Sequence, residues 1–257
     1  MTRVSTVKRK SHFVTTERKS ERYDKTSLIL DLNKCTGCNM CWTVCPRYAI
    51  ERGPIGASIR NRTVAPPVRI NYHKCVFCGL CAYICPFDAL TLIVNNKLAE
   101  KIKRGVSLPF LEGEIVDCPR NDGTALKFVE GEITVDNKEC PGGCSTCIEI
   151  CPVESLYLPI APKEEPWQKM PKIGVNRDKC LFCGACLFAC PANIAIDLAR
   201  TKIHHSEEGS DSTIWKNIEA KLLKPVKSRE WFYEKREKTA PGGDQKLAPK
   251  RKELKEL

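Results

Sequence analysis

Four cysteine runs of nearly equal spacing constrain this chain more than any other feature. They begin at Cys35, Cys75, Cys140 and Cys180, and they account for 16 of the 17 cysteines. Three of them read Cys-x2-Cys-x2-Cys-x3-Cys-Pro, and the third run has one extra residue between its first two cysteines. This spacing is typical of a [4Fe–4S] ligand set, whereas a structural zinc site uses two cysteine pairs without a Cys-Pro ligand. The sequence therefore predicts four [4Fe–4S] clusters.

The runs form two pairs along the chain. Cys75 follows Cys35 by 40 positions and Cys180 follows Cys140 by 40, but 65 positions separate Cys75 from Cys140. Short segments rich in β-branched and other apolar residues, which are strand signals, flank every run. These segments are residues 28–32, 49–51, 68–70, 89–93, 133–135, 155–158, 173–175 and 194–197. We expect an α+β chain of two tandem, bacterial-type ferredoxin modules with two clusters each, at 28–95 and 127–199.

Within such a module the ligand sets are expected to cross. In two-cluster ferredoxins the cysteine of Cys-Pro binds the cluster of the other run. Cluster 1 is then assigned to Cys35, Cys38, Cys41 and Cys85, and cluster 2 to Cys75, Cys78, Cys81 and Cys45. Cluster 3 is assigned to Cys140, Cys144, Cys147 and Cys190, and cluster 4 to Cys180, Cys183, Cys186 and Cys151. Cys118 remains outside these sets and is expected to be an ordinary buried thiol.

The third run allows a second interpretation. Cys140-x3-Cys144-x2-Cys147 is also the triad of radical S-adenosylmethionine enzymes. The following Cys151-Pro152 and the lack of room for the barrel of such enzymes oppose radical chemistry. Glycine accepts backbone conformations that other residues avoid, so Gly142 and Gly143 can absorb the extra residue in a looser ligand loop.

The remaining segments are expected to be arms and a linker. Residues 1–27 are highly charged and are predicted to form an extended basic arm that orders only against a partner. Residues 96–126 are predicted to be a linker with a helical turn at 97–103. In the C-terminal docking tail, 200–257, residues 211–213 are predicted to cap a helix that carries Ile214, Trp215, Ile218 and Leu222 on one face. The aromatic residues 231–233 are a docking candidate, and residues 239–257 are predicted to lack their own fold.

Composition narrows the functional class. The formal charge of +11 counts each cysteine as neutral, and four oxidised clusters of about −2 each reduce it to about +3. The basic excess therefore does not predict nucleic-acid binding, and its position in the arms favours an acidic partner surface. We see no secretory signal, membrane span, nucleotide loop or nucleophile motif. A non-catalytic cytoplasmic protein without a small-molecule substrate is expected.

The first pair of runs and the loop within it resemble a known family. CTGCNMCWTVCPRYAIERGPIGA followed by VRINYHKCVFCGLCAYICPFDALTL is similar to the polyferredoxin subunit of archaeal formylmethanofuran dehydrogenase. The resemblance covers about residues 28–200, although members of that family usually carry eight clusters. It implies the transfer of low-potential electrons to a tungsten- or molybdenum-pterin site that reduces CO2 in anaerobic, methanogenic or related archaea. It also implies catalytic and electron-donor subunits as partners.

Other functions fit the same cysteine runs. The chain could be the electron-transfer subunit of a hydrogenase, a heterodisulfide reductase or another pterin oxidoreductase. It could also be a free ferredoxin that diffuses between enzymes, for which a long basic tail would have little use. The interpretation as a cluster-dependent nucleic-acid-binding or sensor protein is supported by the basic arms alone.

Overall fold

The computed structural model describes residues 4–19, 25–53, 66–99, 108–121, 123–192 and 194–227. These ranges contain short strands and short helices, as expected for a small α+β ferredoxin-like fold. The strands are β1 (Val4–Lys10), β2 (Phe13–Lys19), β3 (Thr26–Asp31), β4 (Ile50–Arg52), β5 (Val68–Ile70), β6 (Leu90–Val94), β7 (Lys97–Leu98), β8 (Glu114–Cys118), β9 (Gly123–Lys127), β10 (Val129–Val135), β11 (Leu156–Tyr157), β12 (Gly174–Val175), β13 (Ile196–Ile203) and β14 (Val226–Lys227). The helices are α1 (Met40–Val44), α2 (Leu80–Tyr83), α3 (Thr146–Ile150), α4 (Ala185–Ala189) and α5 (Thr213–Leu223), and a 3₁₀ turn covers Pro119–Asn121.

In the first repeat, residues 26–94, strand pairing interlocks the two cysteine runs. β3 precedes the first run and pairs antiparallel with β6, which follows the second run; Leu28 lies opposite Leu92. β4 follows the first run and pairs with β5, which precedes the second run; Ile50 lies opposite Ile70. Helices α1 and α2 each contain the third cysteine of a run and contact one another. This topology brings the end of each run beside the other run.

The second repeat, residues 129–203, has the same pairing pattern. β10 pairs with β13, with Ile133 opposite Leu198, and β11 pairs with β12, with Leu156 opposite Val175. Helices α3 and α4 contact one another. Every strand predicted beside a cysteine run overlaps an observed strand, so these predictions are confirmed. The inward-facing side chains of both repeats belong to one contiguous buried cluster with the cysteines.

The expected extended arm at the N-terminus is wrong for residues 4–19. β1 and β2 form an antiparallel hairpin, and β2 pairs with β3, which gives a sheet of order β1-β2-β3-β6-β7. Thr16 and Glu17 are buried there. Glu17 accepts Lys25 at 2.9 Å and Lys8 at 3.1 Å, and the Lys25 contact holds the pKa of Glu17 below its ordinary value. The charges of this segment pair within the sheet, so high charge did not prevent folding.

The segment expected to be a linker contains strands. Lys97–Leu98 continue the N-terminal sheet as β7, so the helical turn predicted from residue 97 is wrong at these two positions. β8 and β9 form a hairpin in which Ile115 lies opposite Leu126. The backbone N–H of Leu126 donates to the carbonyl of Pro86 at 2.9 Å. The hairpin is therefore fixed against the first repeat.

The helix predicted after residue 211 is confirmed as α5. Ser212 is the N-cap, and its hydroxyl accepts the N–H of Trp215 at 3.1 Å. Trp215 is 0% exposed and meets the ring of Tyr83 edge-on at 6.3 Å, which packs α5 against the first repeat. Ile214, expected on the apolar face, is 40% exposed. The aromatic residues 231–233 and the terminal segment 239–257 lie outside the described residues.

Within the described ranges, none of the helices has the length and apolar character needed to cross a membrane.

Candidate iron–sulfur centres

The first cysteine set surrounds a cavity in the first repeat. Its remaining lining is largely apolar and includes Leu30, Phe87 and Leu90. The cysteines that line it are Cys35, Cys38, Cys41 and Cys85. Cys85 ends the second run, yet it reaches the cavity of the first run because β6 returns beside β3.

The second repeat contains two further cavities of this kind. One is lined by Cys140, Cys144, Cys147 and Cys190. The other is lined by Cys151, Cys180, Cys183 and Cys186. Each cavity thus receives the Cys-Pro cysteine of the paired run, in agreement with the pairing of β10 with β13 and of β11 with β12.

The remaining four predicted ligands also lie together. Burial is the main cause that raises the pKa of Cys81 and of Cys75. The charges of Cys78, Cys75 and Cys45 add to the shift of Cys81, and those of Cys78 and Cys45 add to that of Cys75. Such mutual effects require these sulfurs to be close neighbours. Twelve of the sixteen cysteines thus line three cavities in sets of four, and Cys45, Cys75, Cys78 and Cys81 influence one another electrostatically. Cys118 is buried outside these groups, as expected, and burial raises its pKa to about 11, with a further contribution from Cys151.

Two left-handed backbone positions shape the cysteine loop in three of the four runs. In the second run Phe77 has φ 55° and Gly79 has φ 84°, and in the fourth run Phe182 has φ 49° and Gly184 has φ 91°. The first run has the same two turns, at Gly37 and Asn39. Left-handed positions in a short loop turn neighbouring backbone N–H groups towards one point. The loop then forms a concavity for an anionic group, as is found at many Fe–S sites.

The third run departs from this pattern. Gly143 has φ 79°, but Ser145, at the position of the second turn, has φ −111°. A side chain placed at Gly142 or Gly143 would meet nothing within 4 Å, so this loop is open to its outer side. Cys144 is half-buried. The extra residue thus produces a looser and more accessible loop than the other three.

Backbone N–H groups donate to the sulfurs in a repeated arrangement. The N–H of Ala49 donates to Cys45 Sγ at 3.2 Å, Ala89 to Cys85 Sγ at 3.4 Å, and Ser155 to Cys151 Sγ at 3.2 Å. In the second and fourth runs, Phe77 and Phe182 donate to the first cysteine, at 3.4 Å in both cases. Hydrogen bonds to sulfur stabilise the thiolate and are one of the means by which proteins set cluster potentials.

Burial determines what these sites can hold. It raises the pKa of Cys41, Cys81, Cys183 and Cys186 well above the ordinary thiol value, and that of Cys85 and Cys147 to about 12. Buried thiols of this kind ionise only when a cation takes the place of their protons, as ligand cysteines do. Among the described residues, no three Cys, His, Asp or Glu side chains are spaced to hold a single metal ion. Four thiols around one apolar cavity are the donor set of a [4Fe–4S] cube, so the cube fits these residues.

Electrostatic coupling links neighbouring cysteine sets. Burial is the main cause that raises the pKa of Cys41, Cys186 and Cys183, and charges of other sets add to it. Cys81 of the second set acts on Cys41 of the first, and Cys147 of the third acts on Cys186 of the fourth. Between the repeats, Cys38 acts on Cys183. These couplings link the sets in the order second, first, fourth, third.

A family model for the 4Fe-4S dicluster domain matches residues 34–89 and 117–194. The chain belongs to this family. The two matches cover both pairs of cysteine runs, so the prediction of [4Fe–4S] clusters and of an electron-transfer protein is supported by family membership as well as by the geometry. Searching the curated proteins returns no match to this 4Fe-4S dicluster protein.

Solved structures add a similar chain. The 4Fe-4S dicluster protein is similar to a chain in the formate dehydrogenase–heterodisulfide reductase–formylmethanofuran dehydrogenase complex from Methanospirillum hungatei. The TM-score is 0.72 and the sequence identity is 27%, over 86% of this chain and 92% of the other. The similarity therefore extends beyond a single cluster motif to most of the described fold.

Sequence reasoning overlooked three buried or half-buried arginines beside the sets. Arg18 donates to the carbonyl of Cys75, Arg52 donates to that of Phe188 at 3.1 Å, and Arg200 donates to that of Cys183 at 2.8 Å. The signal was present for Arg200. It continues the inward alternation of Ile196 and Leu198, which places its side chain on the buried face of β13.

Proposed function

We propose that this chain is the electron-transfer subunit of a formylmethanofuran dehydrogenase-type complex. In this role it carries low-potential electrons through four [4Fe–4S] clusters, to or from a tungsten- or molybdenum-pterin site that reduces CO2. The observation that carries the proposal is the likeness, over 86% of the chain, to a chain in a complex that contains formylmethanofuran dehydrogenase. The loop sequence GPIGA within the first pair of runs supports the same family.

Each repeat is proposed to be one ferredoxin module with crossed ligands. Cluster 1 is bound by Cys35, Cys38, Cys41 and Cys85, and cluster 2 by Cys75, Cys78, Cys81 and Cys45. Cluster 3 is bound by Cys140, Cys144, Cys147 and Cys190, and cluster 4 by Cys180, Cys183, Cys186 and Cys151. The grouping of these thiols around common centres supports the assignment. The clusters supply one-electron redox chemistry when bound, and the protein contributes no catalytic step.

The chain's own residues hold the sulfurs and exclude water. The apolar lining of the cavities lowers the local dielectric, and the N–H donors at 3.2–3.4 Å stabilise the thiolates. Both effects are established means of setting potential. Iron-ligating thiolates must also stay unoxidised, so a reducing, cytoplasmic location is part of the proposal.

The ends of the order second, first, fourth, third are the proposed contact points for partner subunits. Cys78 in the second set and Cys144 in the third set are half-buried, and Val76 beside Cys78 is 44% exposed. Of the inner sets, the fourth has all four of its cysteines buried, and the first has one half-buried cysteine, Cys85. Electrons are proposed to enter and leave at the two outer clusters, where Cys78 and Cys144 are half-buried.

Anaerobic purification of the native complex tests the function. We expect this chain to co-purify with a subunit that contains tungsten or molybdenum and binds a pterin. It should carry about 16 iron atoms, four in each of four clusters. Co-purification with a hydrogenase or a heterodisulfide reductase that lacks tungsten and molybdenum would favour the alternative subunit role. A chain that purifies alone and delivers electrons at full rate would contradict the subunit role altogether.

A further inference from the structure

A buried arginine occupies the contact between the two repeats. Arg200 is 5% exposed and lies on β13, opposite Gly131 of β10. Its guanidinium donates to three carbonyls. Nε donates to Phe182 at 2.9 Å, Nη2 to Cys183 at 2.8 Å, and Nη1 to Leu222 at 3.4 Å, in the last turn of α5. These bonds fix the guanidinium on the loop that carries the fourth cysteine set.

The charge of Arg200 faces thiolates instead of a carboxylate. Within the ranges that the structure describes, no ion pair joins Arg200 to an Asp or Glu side chain. Four cysteines act on it electrostatically: Cys38 of the first set, and Cys183, Cys180 and Cys186 of the fourth set. Arginine stays protonated even when buried, and a buried charge is costly unless it is compensated. The compensating negative charge at this position is that of two cysteine sets from different repeats.

Other contacts hold the two repeats together at the same place. Arg52 of the first repeat donates to the carbonyl of Phe188 in the second repeat, and its guanidinium lies 4.4 Å from the centre of that ring. α5 contacts α1 of the first repeat, while the carbonyl of Leu222 accepts Arg200. These contacts pack the first repeat against the fourth cysteine run, beside Arg200.

We propose that Arg200 is a positioning residue for electron transfer between the repeats, placed between clusters 1 and 4 to set the potentials of both. This inference rests on the proposed four-cluster function. Each cluster becomes more negative when it accepts an electron, so a fixed positive charge favours reduction and raises the potential. The same charge reduces the repulsion between two anionic clusters that the fold brings together. Clusters 2 and 3 lie further along the order and should be affected much less.

Arg18 provides a matched comparison. Its guanidinium donates to the carbonyl of Cys75 and lies 4.7 Å from the centre of the Phe77 ring. Arg18 thus stands against the second set as Arg200 stands against the fourth, and its charge acts on Cys75. If position determines the effect, Arg18 should influence one cluster and Arg200 two.

The test is an EPR-monitored redox titration of the full chain, with iron content as a second readout. In Arg200→Gln we expect two of the four midpoint potentials to become more negative, with the other two unchanged. Arg200→Lys, which retains the charge, should leave all four near their wild-type values. Arg18→Gln should lower one potential, and the Arg18→Gln/Arg200→Gln double variant should lower three. A loss of about half the iron in Arg200→Gln but not in Arg200→Lys would support the same role, because it would show that the charge is needed to assemble two clusters.

Three results would overturn the inference. They are an unchanged set of potentials in Arg200→Gln, equal shifts in all four clusters, or equal iron loss in the Gln and Lys variants. In each of these three cases the wild-type chain would still titrate as four [4Fe–4S] clusters, so the proposed function would stand while the role of Arg200 would fall. A wild-type chain without four such signals would instead contradict the proposed function, so the two failures are distinguishable.

Discussion

The crossed ligand sets give a prediction about iron content that depends on which cysteines are removed together. Cys85 lines the cavity of Cys38 and Cys41, and under the proposed crossed sets Cys45 shares a cluster with Cys75 and Cys81. Replacing Cys45 with alanine should therefore eliminate cluster 2, so that iron falls from about 16 to about 12 atoms per chain.

Double variants identify the cluster that is lost. Cys45→Ala combined with Cys78→Ala removes two ligands of one cluster, so iron should stay at about 12 atoms per chain. Cys45→Ala combined with Cys38→Ala removes ligands of two clusters, and iron should fall to about 8. Residues that act on one centre are non-additive in this way, whereas independent sites add.

The assay is anaerobic iron and sulfide analysis, with visible absorption as an independent measure. Cys118→Ala is the matched control, because Cys118 is a buried cysteine outside the four sets and its loss should leave iron unchanged. The opposite pattern, about 12 atoms with Cys38→Ala and about 8 with Cys78→Ala, would refute the crossing and return Cys45 to its own run.

Three further changes test the packing and the ligand chemistry. Trp215→Ala removes a fully buried ring and should destabilise the fold by about 3–5 kcal/mol. The measurement is a lower urea midpoint for loss of visible absorption. Trp167 is 80% exposed, so the control Trp167→Ala should change stability by less than about 0.5 kcal/mol. Gly184→Ala places a side chain at φ 91° and within 3.2–3.3 Å of Leu198 and Arg200 atoms. It should lower the stability of the fold by about 1–2 kcal/mol and hasten iron release. Gly142 has open space around it, so the control Gly142→Ala should have little effect. Iron transfer to a chelator should accelerate as the pH falls from about 8 to about 6, because burial raises the pKa of the ligand thiols and each released sulfur takes up a proton; a rate that does not change with pH would contradict this.

Much of the site was accessible from sequence because ligand spacing is a covalent constraint. A Cys-x2-Cys-x2-Cys run closes a tight loop, and the 40-residue repeat sets the strand pairing that brings Cys85 to the first run. The N-terminal hairpin was missed for a different reason. Its charge content suggested an unfolded arm, but Glu17 compensates Lys8 and Lys25 inside the sheet, and the alternation of Val14 and Thr16 already indicated a strand.

The contact between the repeats could not be derived from local pattern. Arg200 is one of many basic residues in the sequence. Only the fold shows that its charge acts on Cys38, which lies 162 positions earlier in the chain. Likewise, Phe188 becomes a partner of Arg52 only when α4 and the end of β4 meet. Long-range juxtapositions of this kind depend on tertiary packing, which residue composition and periodicity do not encode.

The interlocked pairing of the strands has a consequence for how the protein is made. Under the proposed ligand sets, cluster 1 joins Cys35 to Cys85 and closes a loop of 50 residue positions. A covalent closure of that length restricts the unfolded chain by roughly 4 kcal/mol in the loop-entropy treatment used for disulfides. The ribosome must also release Cys85 before the first cube can be completed, but every proposed ligand of the first repeat's two cubes lies before residue 94. Cluster insertion can thus begin in the first repeat while the second repeat is still being synthesised, before α5 packs against it.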